Sequence, residues 1–289
     1  MNATLSVVPG RQEAFHRVTQ ITDLPPLAGG LQRLLEVIYS EVASVGELER
    51  IILYEQALAA KLLRLANSSY YGTRGKVHTI SQAIMLIGFE QVKSICLCVL
   101  LMQLYADAPA LGASLREKLW KHAFATSRVA AELARHKPWL TKELASVLGL
   151  FHDLGWLAMA VHFADYYQLV SDLAKARKIP PWLVEAECGI AHTEIGSWMS
   201  DRWALPEVFG RVMKYHHAPH LSPSHKSEAV LIFLANVLVN SREYAEYLND
   251  PLTISCAHQL HFTDEDWEHC IERSNAIWHQ VEAFWAMLK

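Results

Sequence analysis

This sequence lacks the features that would mark a disulfide framework, a membrane span or a β-sheet. Its five cysteines, Cys96, Cys98, Cys188, Cys256 and Cys270, form no C-x-x-C pair. Cys96 and Cys98 lie inside an apolar run, so the set reads as small reduced core residues of a cytoplasmic protein. No basic, apolar leader opens the chain, which begins MNATLSVVPGRQ, so no secretory signal is visible. The apolar run from Ile95 to Leu104 is interrupted by Gln103 and is too short to cross a bilayer, so no membrane partner is expected. A basic excess is missing too. The formal net charge is -4, which argues against a nucleic-acid partner. No segment sustains the period-2 alternation of a half-buried strand. With 52% apolar residues in 289, the chain can bury one large core or two smaller ones.

What is present is helical punctuation. Residues 1–18 read as a loose tail. Leu24-Pro25-Pro26-Leu27 makes an extended entry, and Gly29-Gly30 precedes Leu31, Leu34, Leu35 and Ile38 at helical spacing. Ser44 with Glu47 and Thr79 with Gln82 are capping boxes. Ala57 to Ala66 is a run of strong helix formers. One helix ends at Gly88, and another runs from Glu90 to Leu104. That helix–glycine–helix pattern could suggest a DNA reader, but QVKSICLCVLLMQL is apolar on nearly every face and offers little to bases or phosphates. It is a core helix.

The small-residue stretch from Ala106 to Ser114, with Pro109 and Gly112, is the best internal boundary. It divides an N-terminal helical lobe, 19–108, from a second lobe, 109–289, that carries a C-terminal helical extension. In the second lobe, Ser114 with Glu117 is expected to cap a long helix bearing His122. Thr141 opens the helix expected to contain the pair His152-Asp153. A segment from Phe163 to Arg177 is broken by Ile179-Pro180-Pro181, and Trp182 to Cys188 forms a short helix. His192 begins the next helix, and Pro206 starts one ending in His216-His217. Ala229 to Asn240 and Asp264 to Leu288 follow, the last capped by Thr263 and able to pack on the bundle or to form a homodimer surface. The expectation is an all-α, two-lobed protein.

The chemistry gathers in that second lobe. His152 and Asp153 interrupt the apolar stretch ASVLGLFHDLGWLAM, where burying them is costly without a metal or hydrogen-bonding partners. His122, His192, His216 and His217 also stand at helices or helix ends in apolar surroundings. Several imidazoles with one carboxylate suit a divalent transition metal such as zinc, iron, nickel or manganese better than calcium or magnesium. Taken singly, His122 reads as a partnered helix residue rather than a ligand. His216-His217 reads equally as a helix C-terminus that favours positive charge.

The order of these residues, with the first-half strings LPPLAGGLQRLLEV, LLRLANSSYYG and HTISQAIMLIGFEQVKSICL, resembles the HDOD family, a branch of the HD-type metallohydrolases. LWKHAFATSRVAAELA, GLFHDLGWLAM, AHTEIGSWMSDRWALPE and KYHHAP carry the likeness through the second half, over roughly residues 22–219. The resemblance implies a helical N-terminal half on an HD-like bundle, and a place in bacterial signal transduction. There such domains often serve as output or partner-binding modules. The related HD-GYP phosphodiesterases imply the ligand roles. One metal is held by His122, His152, Asp153 and a late acid, and a second by Asp153, His192, His216 and His217.

Two departures bear on activity. Asn236 stands where the late acid is expected, and a neutral amide is a poor ligand for a transition metal. With Asp153 as the sole carboxylate, two divalent ions would leave about three uncompensated positive charges, so one ion is expected rather than two. Gly155 is followed by Trp156 where the phosphodiesterases have a lysine for substrate phosphate, and an indole carries no charge. The segment bearing Gly-Tyr-Pro has no counterpart, since AVHFADYYQLV does not match it. The preferred reading is a non-catalytic signalling module with a residual metal site, binding a signalling protein or a small ligand. The alternative is a metal-dependent phosphohydrolase with an altered phosphate pocket, in which His152 and Asp153 would be catalytic.

Overall fold

Helices begin where the sequence supplies their caps. In this computed structural model, which describes residues 29–39, 44–68, 71, 76–103 and 112–288, no strand occurs among the described residues. Ser44 and Thr79 both close full capping boxes, satisfying N–H groups that a helix start leaves free. The loose tail, the Leu24–Leu27 entry and most of the boundary expected at Ala106 to Ser114 lie outside the described residues.

The described residues fall into two compact units. One holds α1 (Gly29–Tyr39), α2 (Val45–Tyr54), α3 (Gln56–Ala66), α4 (Ile80–Ile87) and α5 (Phe89–Gln103). Its α5 buries Val92 and every residue from Ile95 to Leu101, so it is the core helix its composition indicated. Gly88 joins α4 to α5 at φ 97°, a left-handed conformation that glycine adopts without strain.

The second unit carries the site. It holds α6 (Ala113–Leu133), α7 (Lys142–Phe151), α8 (Leu154–His162), α9 (Ala164–Arg177), α10 (Pro181–Cys188), α11 (His192–Arg202), α12 (Glu207–Tyr215), α13 (Lys226–Asn240) and α14 (Pro251–Gln259). The last helix, α15 (Asp264–Leu288), begins in this unit, and from Ala276 onward belongs with α1–α5. The division read from the sequence put all of 109–289 in the second lobe. The grouping of Ala276 onward with the first differs from that, and within this stretch Ile277, Val281 and Phe284 are buried at helical spacing.

Packing in the second unit is set by α6, which lies along α7 and α13. At Gly149 a Cβ would stand 2.8 Å from Ser127 Cα, so the α6–α7 approach requires glycine there. Beside it the Ser127 and Ser146 hydroxyls bond at 2.8 Å, satisfying two buried polar groups. The other close approach is between α8 and α11, where a Cβ on Gly155 would be 1.8 Å from the His192 carbonyl oxygen. Lys142–His162 is apolar enough in composition to cross a membrane, but 78% of its apolar 18-residue window is buried and the stretch is broken into α7 and α8.

Two local expectations are corrected. Ser114 and Glu117 do not cap α6; Gly112 occupies the N-cap and the helix starts at Ala113. The pair His152-Asp153 is not inside a helix. Thr141 caps α7 as expected, accepting from Leu144 N–H, but α7 stops at Phe151 and α8 starts at Leu154. Asp153, at φ -104° and ψ 14°, is the break.

Candidate metal centre

That break explains how neighbouring residues can face one centre. On a continuous helix adjacent side chains diverge by about 100°. Here His152 caps the end of α7 and Asp153 precedes α8, so both turn toward the same point. His122 reaches it from α6, His192 from the first position of α11, and His216 from the C-cap of α12, with His217 following. The structure brings all six predicted residues together.

The geometry is two triangles sharing Asp153. Oδ2 lies 3.1 Å from His122 Nε2 and 3.3 Å from His152 Nε2, and those two nitrogens are 3.3 Å apart. Oδ1 lies 3.2 Å from both His192 Nε2 and His216 Nε2, which are themselves 3.2 Å apart. His217 completes the second set, with its ring 4.2 Å from that of His216.

The tautomers follow from the outer contacts. His152 Nδ1 donates to Gly149 O at 2.8 Å and His216 Nδ1 donates to Met213 O at 2.9 Å, since a carbonyl can only accept. His192 Nδ1 meets Glu185 Oε2 at 2.5 Å. In the neutral forms of His152, His192 and His216 the Nε2 lone pairs therefore point inward, toward one another and toward the Asp153 carboxylate. Oδ1 of Asp153 is then buried without a donor. Such a ring of acceptors needs an extra proton or a cation at its centre.

A transition metal fits. Metal–ligand bonds of about 2.0–2.2 Å make coordination-polyhedron edges of about 3.0–3.4 Å, which the observed separations match. His152, His192 and His216 are fully buried, while Asp153 and His122 retain 14% and 17% side-chain exposure and mark the solvent side.

Electrostatics agree with the geometry. Burial alone would raise the Asp153 carboxyl, but the imidazoles of His152, His122 and His192 hold it well below the usual carboxylate range. Burial pushes His216 down to about 4 and His217 well below the ordinary imidazole value. Burial would lower His192 as well, but Glu185 and Asp153 bring it up to about 9.

The sequence did not single out Glu185. It sits on α10 at 1% side-chain exposure and accepts from both the Nδ1 and the backbone N–H of His192. Its signal was faint, one of two acids in PWLVEAEC, distinguished from Glu187 only by sharing the buried face with Val184. Two aromatic rings also cover ligands. Trp156 stacks on His192, with centroids 4.7 Å apart and planes 16° from parallel, and Trp182 stacks on His217 at 4.5 Å. Asn236 is buried on α13, where its Oδ1 accepts from Asn240 at 2.7 Å.

The HDOD domain family matches residues 24–219. The chain belongs to the HDOD family. Among solved structures, a candidate signal transduction protein from Marinobacter aquaeolei VT8 superposes with a TM-score of 0.81 at 22% identity, over 96% of this chain and 65% of its own. An HDOD domain protein with unknown function from Geobacter sulfurreducens gives 0.77 at 20% identity, over 94% and 99%. A candidate phosphohydrolase from Shewanella amazonensis SB2B gives 0.72 at 19%, over 94% and 98%. At these identities the likeness is one of fold. A Treponema pallidum (strain Nichols) protein, named only as uncharacterized, is 25% identical over 230 residues; the match takes in 76% of this HDOD chain but 43% of that relative.

Proposed function

We propose that this HDOD chain is a metal-holding signalling module of the cytoplasm that acts by binding a protein partner or a small ligand, not by hydrolysing phosphodiesters. The observation that carries this reading is the packing of Trp156. Its indole is buried and lies flat on His192, with Tyr167 edge-on at 5.6 Å. At the position where the resembling phosphodiesterases carry a phosphate-binding ammonium, this chain has an uncharged ring committed to bracing a ligand. The lysines closest in sequence to the ligands are occupied elsewhere. Lys121 pairs with Glu117 at 2.8 Å, and Lys214 lies over the Tyr215 ring.

Asp153, His192, His216 and His217 would hold the ion, with His122 and His152 on the second face of Asp153. A divalent ion there supplies Lewis acidity, and phosphoryl transfer needs additional positive groups around the transferred oxygens. Losing one such group commonly lowers a rate by about two to three powers of ten.

A second reading, a phosphohydrolase with a rebuilt phosphate pocket, is favoured by one observation, the pair of donor triangles bridged by a single carboxylate. A turnover assay on metal-loaded chain separates the two. With cyclic di-guanylate and a generic phosphodiester, the module reading expects no turnover above the His152→Ala, Asp153→Ala double variant. Metal-dependent turnover well above that baseline would establish the hydrolase.

A further inference from the structure

Glu185 is buried beside the donor set and touches none of the inward-facing atoms, which raises the question of what it answers to. We infer that Glu185 is the counter-charge for an ion held by Asp153, His192, His216 and His217, and that it positions His192 toward that ion. This rests on the metal reading above and goes further in saying which face takes the first ion and why.

Three of the histidines have defined outer partners, and they are not alike. His152 and His216 donate to neutral backbone carbonyls, of Gly149 and Met213. His192 alone donates to a carboxylate, at 2.5 Å. The second oxygen of that carboxylate accepts the His192 backbone N–H at 3.1 Å, so both oxygens end on one residue. Ala191, the N-cap of α11, has no side chain that could do this, and Glu185 takes its place. The positive end of the α11 dipole adds to the attraction. Among the described residues no Lys or Arg pairs with Glu185. An ion on the far side of the imidazole would place positive charge close to this buried carboxylate.

Charge counting selects the face. One divalent ion brings two positive charges, and Asp153 and Glu185 bring one negative charge each, so the loaded site is formally neutral. The His122–His152 face has only the shared Asp153, and an ion there would stay uncompensated. The first ion therefore belongs with His192, His216 and His217.

The test is a titration of the metal-free full chain with Co2+, followed by its visible absorption. The substitutions are Glu185→Gln, which keeps the shape and one acceptor oxygen, His122→Ala and His216→Ala. In the wild type one Co2+ binds first and more tightly. E185Q should weaken that first equivalent by about 10–100-fold, the range for outer-sphere partners of a metal-bound histidine, with helicity unchanged. H122A should weaken it less than H216A does. In the H216A background, E185Q should cost nothing more. If E185Q binds like wild type, or weakens Co2+ equally in the H216A background, the inference is wrong while the metal reading stands. A wild-type chain that takes up no Co2+ overturns both. Should the E185Q substitution unfold the chain, nitrogen-15 histidine spectra of loaded wild type decide alone. A solvent-protected, strongly downfield Nδ1 proton on His192 supports the inference, and its absence refutes it.

Discussion

At Asp153, burial and neighbours pull in opposite directions, and the neighbours win. Asp153→Asn keeps the side-chain shape and removes the charge that both donor triangles share. It should weaken metal uptake by more than the roughly 10–100-fold typical of outer-sphere changes; isothermal titration checks this, and near-wild-type affinity would deny Asp153 its bridging role. The histidines give the metal-free chain a signed pH dependence. His216 titrates at about 4 when folded, against an ordinary value near 6.5. Between those values the unfolded chain binds a proton that the folded chain refuses. This contribution to stability is therefore complete above about pH 6.5 and is lost as pH falls toward about 4. His217 acts in the same direction. His192, raised to about 9, works the other way, its contribution complete below about 6.5 and lost as pH climbs toward 9. Urea midpoints measured in chelator should peak near pH 6.5, and a midpoint that rises on acidification from 6.5 to 4.5 would contradict the assignment. The six donors were legible in the sequence only through their order within a family pattern, because gaps of tens of residues hide them from any spacing rule. Glu185 was not legible, since what distinguishes it from Glu187 is burial, a tertiary property.

Among the elements, the α7–α8 break matters most, and it depends on how closely helices can approach. Gly155 lets α8 press against the start of α11, and so fixes the distance between Asp153 and His192. A methyl group 1.8 Å from the His192 carbonyl has nowhere to go, because the obstacle is backbone. Gly155→Ala should destabilise the chain by about 1–3 kcal/mol or more, as overpacking does, and should loosen the metal site with it. Thermal melts with and without added metal would show this; an unchanged melting temperature would mean the helices part easily. Helix starts with a polar cap were readable, as Thr141 and Thr263 show. The break at His152-Asp153 was not, because LFHDLG has neither Pro nor a glycine at the turn itself, and tertiary contacts decide where α7 stops. The helix Pro251–Gln259 carried a readable signal, Asp250 as N-cap before Pro251 at the first helical position, that the periodicity reading passed over.

On the scale of the whole molecule, the all-α character followed from apolar periodicity and caps, while the membership of α15 in two units did not, because a continuous 25-residue helix gives no local sign of where its neighbours change. The functional account rests on the second unit holding one ion. On the family resemblance Asn236 stands where an acid for a second ion is expected, and on the inference above Glu185 supplies the charge that balances a first. The most direct test is elemental analysis of the full chain and of its Asp153→Asn variant, purified without a metal-affinity step. The account predicts close to one transition-metal ion per wild-type chain and almost none in the variant. Two fully occupied ions, or a variant that retains its metal, would contradict it.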